Sequence, residues 1–144
     1  MNKEGTMNVK RWLRAALGAF AVTFMLDFVI HHQLLMGLYE QTASVWRPQH
    51  EAGSRMWLMM LSGLLFAGVF AWFYTKGYEA RKPGLGQGLR FGGYVGLLLG
   101  IPQSLVWYVV LPVPFVLALG WFIGTLVDCL AAGAAVGALY RSGK

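Results

Sequence analysis

Hydrophobic residues run along this chain in four long blocks, residues 12–38, 56–75, 88–111 and 115–140, separated by stretches where polar and charged residues gather. Each block reaches the roughly 20 residues that an α-helix needs to cross about 30 Å of hydrocarbon. Inside a bilayer a helix satisfies its own backbone, whereas strands would need a closed barrel and an alternating pattern that these blocks lack. The pattern therefore predicts an all-α fold. A single domain, residues 1–144, forms an integral membrane bundle of four transmembrane helices.

Composition agrees. Of 144 residues, 57% are hydrophobic and 12% are charged, half the roughly 25% charged content of a soluble domain. The single cysteine, Cys129, rules out a disulfide framework. A net charge of +6 would suit nucleic acid if it were spread over a surface, but here the basic residues cluster at block ends. Lys3, Lys10, Arg11, Arg14, Lys76, Arg81, Lys82, Arg90, Arg141 and Lys144 fall on one side, and Arg47 and Arg55 on the other. Positive charge collects on the cytoplasmic face, so both termini are expected there. Trp12, Tyr39, Trp46, Trp57, Tyr78 and Tyr140 stand near block ends, where interfacial anchors belong. Ala19-Phe20-Ala21 offers a signal-cleavage pattern, but the apolar stretch before it is short and broken by Arg14, so the first helix is retained.

Small residues recur at four-residue spacing: Ala15-Ala19-Thr23, Gly63-Ala67-Ala71-Thr75, Gly88-Gly92-Gly96-Gly100-Ser104 and Gly120-Gly124. Such rows let helix backbones approach closely in lipid. The glycine row of the third block suits packing within the bundle and self-association equally well.

The costly residues come next. Asp27, Gln103 and Asp128 lie in different blocks at nearly one depth, about 18–22 Å from the end that carries the termini, at 1.5 Å per residue. An aspartate at a helix centre costs about 2.5–3.5 kcal/mol on insertion scales, so both acids are expected to face inward. His31 follows Asp27 by one turn and shares its side of the helix. An acid and an imidazole in low dielectric suit a proton relay or half of a metal site. They suit interhelical hydrogen bonding as well. Asp27, His31, Gln103 and Asp128 are the expected intramembrane polar site.

Two loops carry weaker signals. His31 and His32, with His50 and Glu51 of the connection at residues 38–57, are weak metal candidates whose spacing matches no ligand motif. The run KGYEARKPGLGQGLR has the glycines of a phosphate loop but neither its strand nor its lysine-serine ending, and reads as a flexible basic hairpin on lipid headgroups.

Taken together, LYEQTASVWRP and YTKGYEARKPGLGQGLRFGGYVGLLLG resemble a group of small bacterial four-helix inner-membrane proteins. The resemblance spans nearly the whole chain and implies the same topology and a place in a bacterial cytoplasmic membrane, but brings no catalytic residue with it. No catalytic triad, zinc-helix motif or nucleotide loop is present, so an enzyme is not expected. The leading expectation is a carrier or channel for a proton, cation or small polar solute. The rivals are an accessory subunit or assembly factor of a larger membrane complex, and a protein that ligates haem or a metal through His31 or His32. Expected partners are the bilayer and either a second copy or a larger complex, not nucleic acid.

Overall fold

In a computed structural model that describes residues 7–140, the apolar blocks become the four longest of six α-helices. Lys3, Arg141 and Lys144 lie outside the described residues. Helix α1 (Val9–Val29) opens where the Asn8 side chain accepts a hydrogen bond from the Arg11 N–H at 3.1 Å, supplying a partner to a donor that the first turn leaves unpaired. Its last turn widens into a π-helical segment, Ile30–Leu34, closed by the Leu35 N–H on the Ile30 carbonyl at 2.9 Å. Two short helices, α2 (Met36–Gln41) and α3 (Gln49–Gly53), flank a 3-10 turn and fill the connection to α4 (Met56–Lys76). Helices α5 (Gly84–Val110) and α6 (Phe115–Leu139) complete the chain.

Four spans, Val9–Leu34, α4, α5 and α6, are long and apolar enough to cross a membrane. Among the described residues there is no strand. Two boundaries differ from expectation. The first block does not continue as one helix to residue 38; the wide turn ends it, and the chain redirects at Leu35. The glycine-rich segment is no flexible hairpin, because α5 already begins at Gly84. Pro83 precedes its first turn, and the buried side chain of Gln87 turns back on the loop. Its Oε1 accepts from the Glu79 N–H at 2.9 Å, while Nε2 donates to the carbonyls of Glu79 and Lys82 at 2.9 and 3.0 Å. Three backbone groups are thereby paired by one amide.

The α5–α6 seam explains the glycine row. A Cβ built on Gly88 would run into the carbonyl of Gly133, one on Gly92 into that of Cys129, and one on Gly133 into that of Gly88. Backbone lies against backbone. The face that sequence left open between packing and self-association is thus occupied within the chain. Helix α1 packs against both α4 and α6. Its buried Ala15, Ala16 and Ala19 share a core with Ala67, Phe70, Ala71, Ala132 and Val136. Helices α4 and α5 meet through aromatic rings near the end that carries the termini, with Phe70–Phe91 centroids 4.8 Å apart. Elsewhere they leave an apolar groove of about 700 Å³ between Leu58, Leu61 and Leu65 on one side and Val95, Leu98 and Leu99 on the other.

The expected interfacial anchors are used differently. Tyr140 is buried, and the Trp12 indole donates to the Gly68 carbonyl at 3.0 Å, tying α1 to α4. Tyr78 packs against Tyr74 and Tyr140. Only Trp57 of the six is exposed.

Candidate functional site

Four sequence-selected residues come together at the opposite end of the bundle. Asp27 and His31 from the first span, Gln103 from α5 and Asp128 from α6 line one cavity of about 370 Å³. Each span contributes residues at helical spacing, so each presents a stripe. Asp27 is followed by His31, Gln103 by Trp107, and Asp128 is preceded by Thr125 and Trp121. The connection between α1 and α4 adds Tyr39 and Trp46 to the wall of this open cavity.

A short hydrogen-bonded chain joins Trp121, Tyr39 and His31. The Trp121 indole N–H donates to the Tyr39 hydroxyl oxygen at 2.8 Å. That oxygen lies 2.7 Å from His31 Nδ1. The pair is joined by one hydrogen bond, in which the hydroxyl donates to a bare Nδ1 or accepts from a protonated one. Nε2 faces Asp27 Oδ1 at 3.8 Å, too far for a direct hydrogen bond but close enough for an electrostatic pair when the ring is protonated. Asp27 in turn neighbours Asp128 in the same cavity. Burial holds the Tyr39 pKa above its ordinary value; the Trp121 hydrogen bond opposes this and the Asp27 charge adds to it. Tyr39 therefore keeps its hydroxyl proton at neutral pH.

The two acids are not equally sheltered. Asp128 Oδ1 is buried with no hydrogen-bond partner among the described residues. The Asp27 side chain is 55% exposed, against the expectation of an inward-facing group. The reason is that it also borders a second cavity, of about 380 Å³, which lies between α1 and α4 and is lined by Phe28, His32, Met56 and Met60. His32 stacks on Phe28 at 5.1 Å and faces that second space. His50 and Glu51 sit on α3, where Glu51 pairs with Arg47 at 3.1 Å and Arg55 at 3.6 Å. Among the described residues no group of three His, Cys, Asp or Glu comes close enough to hold a metal ion, so His31, His32, His50 and Glu51 are not brought together.

Sequence reasoning missed the aromatic wall. Tyr39 and Trp46 were assigned to the interface, and Trp107 and Trp121 had no role. One signal was available: Trp121 sits seven residues before Asp128 on the same helical face, and a Trp N–H inside a span needs an acceptor. Compared with protein-family models, with curated proteins and with solved structures, the chain finds no match.

Proposed function

We propose that this is a multi-pass protein of a bacterial cytoplasmic membrane, both termini cytoplasmic, that carries a small cation through the cavity between α1, α5 and α6 in exchange for protons. One observation supports the reading above others. Two carboxyl groups from opposite ends of the chain share a cavity with an imidazole, and among the described residues no lysine or arginine lines it. Like charges so close favour holding a proton or a cation. The sequence Tyr39, His31, Asp27, Asp128 supplies groups that exchange protons from the loop-covered end to mid-span.

The test is proton flux, followed with an internal pH dye, into proteoliposomes loaded with the chloride of a small monovalent cation and diluted into cation-free buffer, so that the outward cation gradient drives protons in. Wild-type protein conducts, and Asp27→Asn together with Asp128→Asn reduces flux to the level of empty vesicles while leaving the helical content intact. Unchanged flux in that double variant overturns the proposal. A second reading, an accessory subunit, draws on the apolar groove between α4 and α5. Purification as a monomer with no accompanying protein would count against it.

A further inference from the structure

We infer that the cavity between α1, α5 and α6 receives an organic ammonium ion, its alkyl groups held by aromatic rings and its charge met by Asp27 and Asp128. The inference rests on the cation-carrier reading and names the class of cation. The first observation is the shape of the wall. Trp46 stands nearly perpendicular to both of its neighbours: 82° to Tyr39 at 5.4 Å between centroids, and 83° to Trp121 at 6.1 Å. These edge-to-face contacts join Tyr39, Trp46 and Trp121 into one aromatic wall along the cavity, a lining that suits a soft, weakly hydrated cation. Trp107 adds a further ring from α5.

The second observation is the balance of charge. The polar groups facing the cavity are Asp27 and His31 from the first span, Tyr39 from α2, Gln103 from α5, and Thr125 and Asp128 from α6. An anion would meet two carboxyl groups with no guanidinium or ammonium among the described residues to offset them. A neutral solute would leave the carboxyl charge uncompensated, and Asp128 Oδ1 already lacks a partner. A bare divalent ion asks for about six oxygen ligands in a tight shell, whereas four of the ten residues around this space of about 370 Å³ are Trp or Tyr. That volume lies near the lower end of the roughly 300–1,000 Å³ typical of small-molecule pockets. A small alkylammonium fits both the size and the lining.

The experiment titrates the full-length protein, purified in detergent, by isothermal calorimetry with choline and with its uncharged carbon isostere dimethylbutanol. Choline binds, and the isostere binds at least about tenfold more weakly, as expected when cation–π attraction rather than shape sets affinity. Trp46→Leu weakens choline about tenfold, while Trp46→Phe, which keeps a π face, retains most of the binding. Equal affinity for choline and the isostere overturns the inference, as does full choline binding by Trp46→Leu. The comparison of the two ligands needs only the wild-type chain, so a poorly folding variant does not disable it. Absence of choline binding in protein whose proton flux still depends on Asp27 and Asp128 overturns the ammonium assignment alone. Flux independent of both acids overturns the carrier reading itself.

Discussion

The end of the bundle that carries the termini and the end covered by the α1–α4 connection are built on opposite principles. At the first, glycine and alanine bring backbones together until no side chain fits between them. Gly88, Gly92, Gly133 and Gly137 would each collide with a facing backbone if given a Cβ. At the second, the helices are held apart by large rings, and the space between them contains Asp27, His31 and Asp128. Close packing at one end anchors the helices that the other end must keep separated. A bilayer offers no hydrophobic drive between helices, so a hollow polar region needs a tightly fitted one elsewhere on the same helices. Sensitivity to substitution should divide accordingly, with stability set by the seam and function by the cavity.

The strongest way to break this contrast is a side chain in the seam. Gly92→Val should destabilise the fold by about 3 kcal/mol or more, since the obstacle is the Cys129 backbone rather than a movable side chain. Gly86→Ala, on the same helix with nothing within 4 Å of a Cβ, should be neutral or stabilising by up to about 1 kcal/mol. Reversible unfolding in mixed micelles measures both, and equal effects would dissolve the distinction. Next in size is Gln87→Ala, which removes three hydrogen bonds from the α4–α5 loop. A loss of about 2 kcal/mol is expected at roughly 0.5–1.5 per bond, with faster proteolysis between residues 77 and 83. Unaltered cleavage there would show that the loop does not depend on that amide.

The smallest effect on stability belongs to the cavity. Tyr39→Phe leaves the Trp121 N–H and His31 Nδ1 without their shared partner and should cost only about 1 kcal/mol. It should nevertheless slow proton flux, because the hydroxyl that joins α2 to His31 is gone. The alkaline range sharpens this further. Burial raises the Tyr39 pKa in the folded state, so the folded chain keeps a proton that the unfolded chain releases. The stability this contributes is complete below the unfolded value near 10 and falls as pH climbs through the folded one. Unfolding curves of Tyr39→Phe should lack that part of the alkaline decline; superimposable curves would contradict it.

Much of the architecture was legible in the sequence, because a span is a long apolar run and little else produces one. The acids were legible for the complementary reason: a charge inside such a run is costly enough to call for an explanation. What escaped notice depended on neighbours. The π-helical turn at Ile30–Leu34 differs from an α-helix by a single hydrogen-bond register, which hydropathy does not encode. The glycines at 84, 86 and 88 suggest freedom until Gln87 is seen folding back on Glu79 and Lys82. Tyr39 and Trp46 look like interfacial residues in a one-dimensional reading. They become a wall only when the chain redirects at Leu35 and sets them beside Trp121 on a helix 75 or more positions away.

The wide turn after Val29 carries a consequence of its own. It holds one residue more than an α-helical turn would, so the segment beyond it is rotated by about 100° relative to an uninterrupted helix. Deleting one position there would restore ordinary winding and swing Tyr39 off the Asp27 side, parting the phenol from the imidazole without altering either. A single surplus amino acid thus sets the alignment between Tyr39 and the acid on the preceding span.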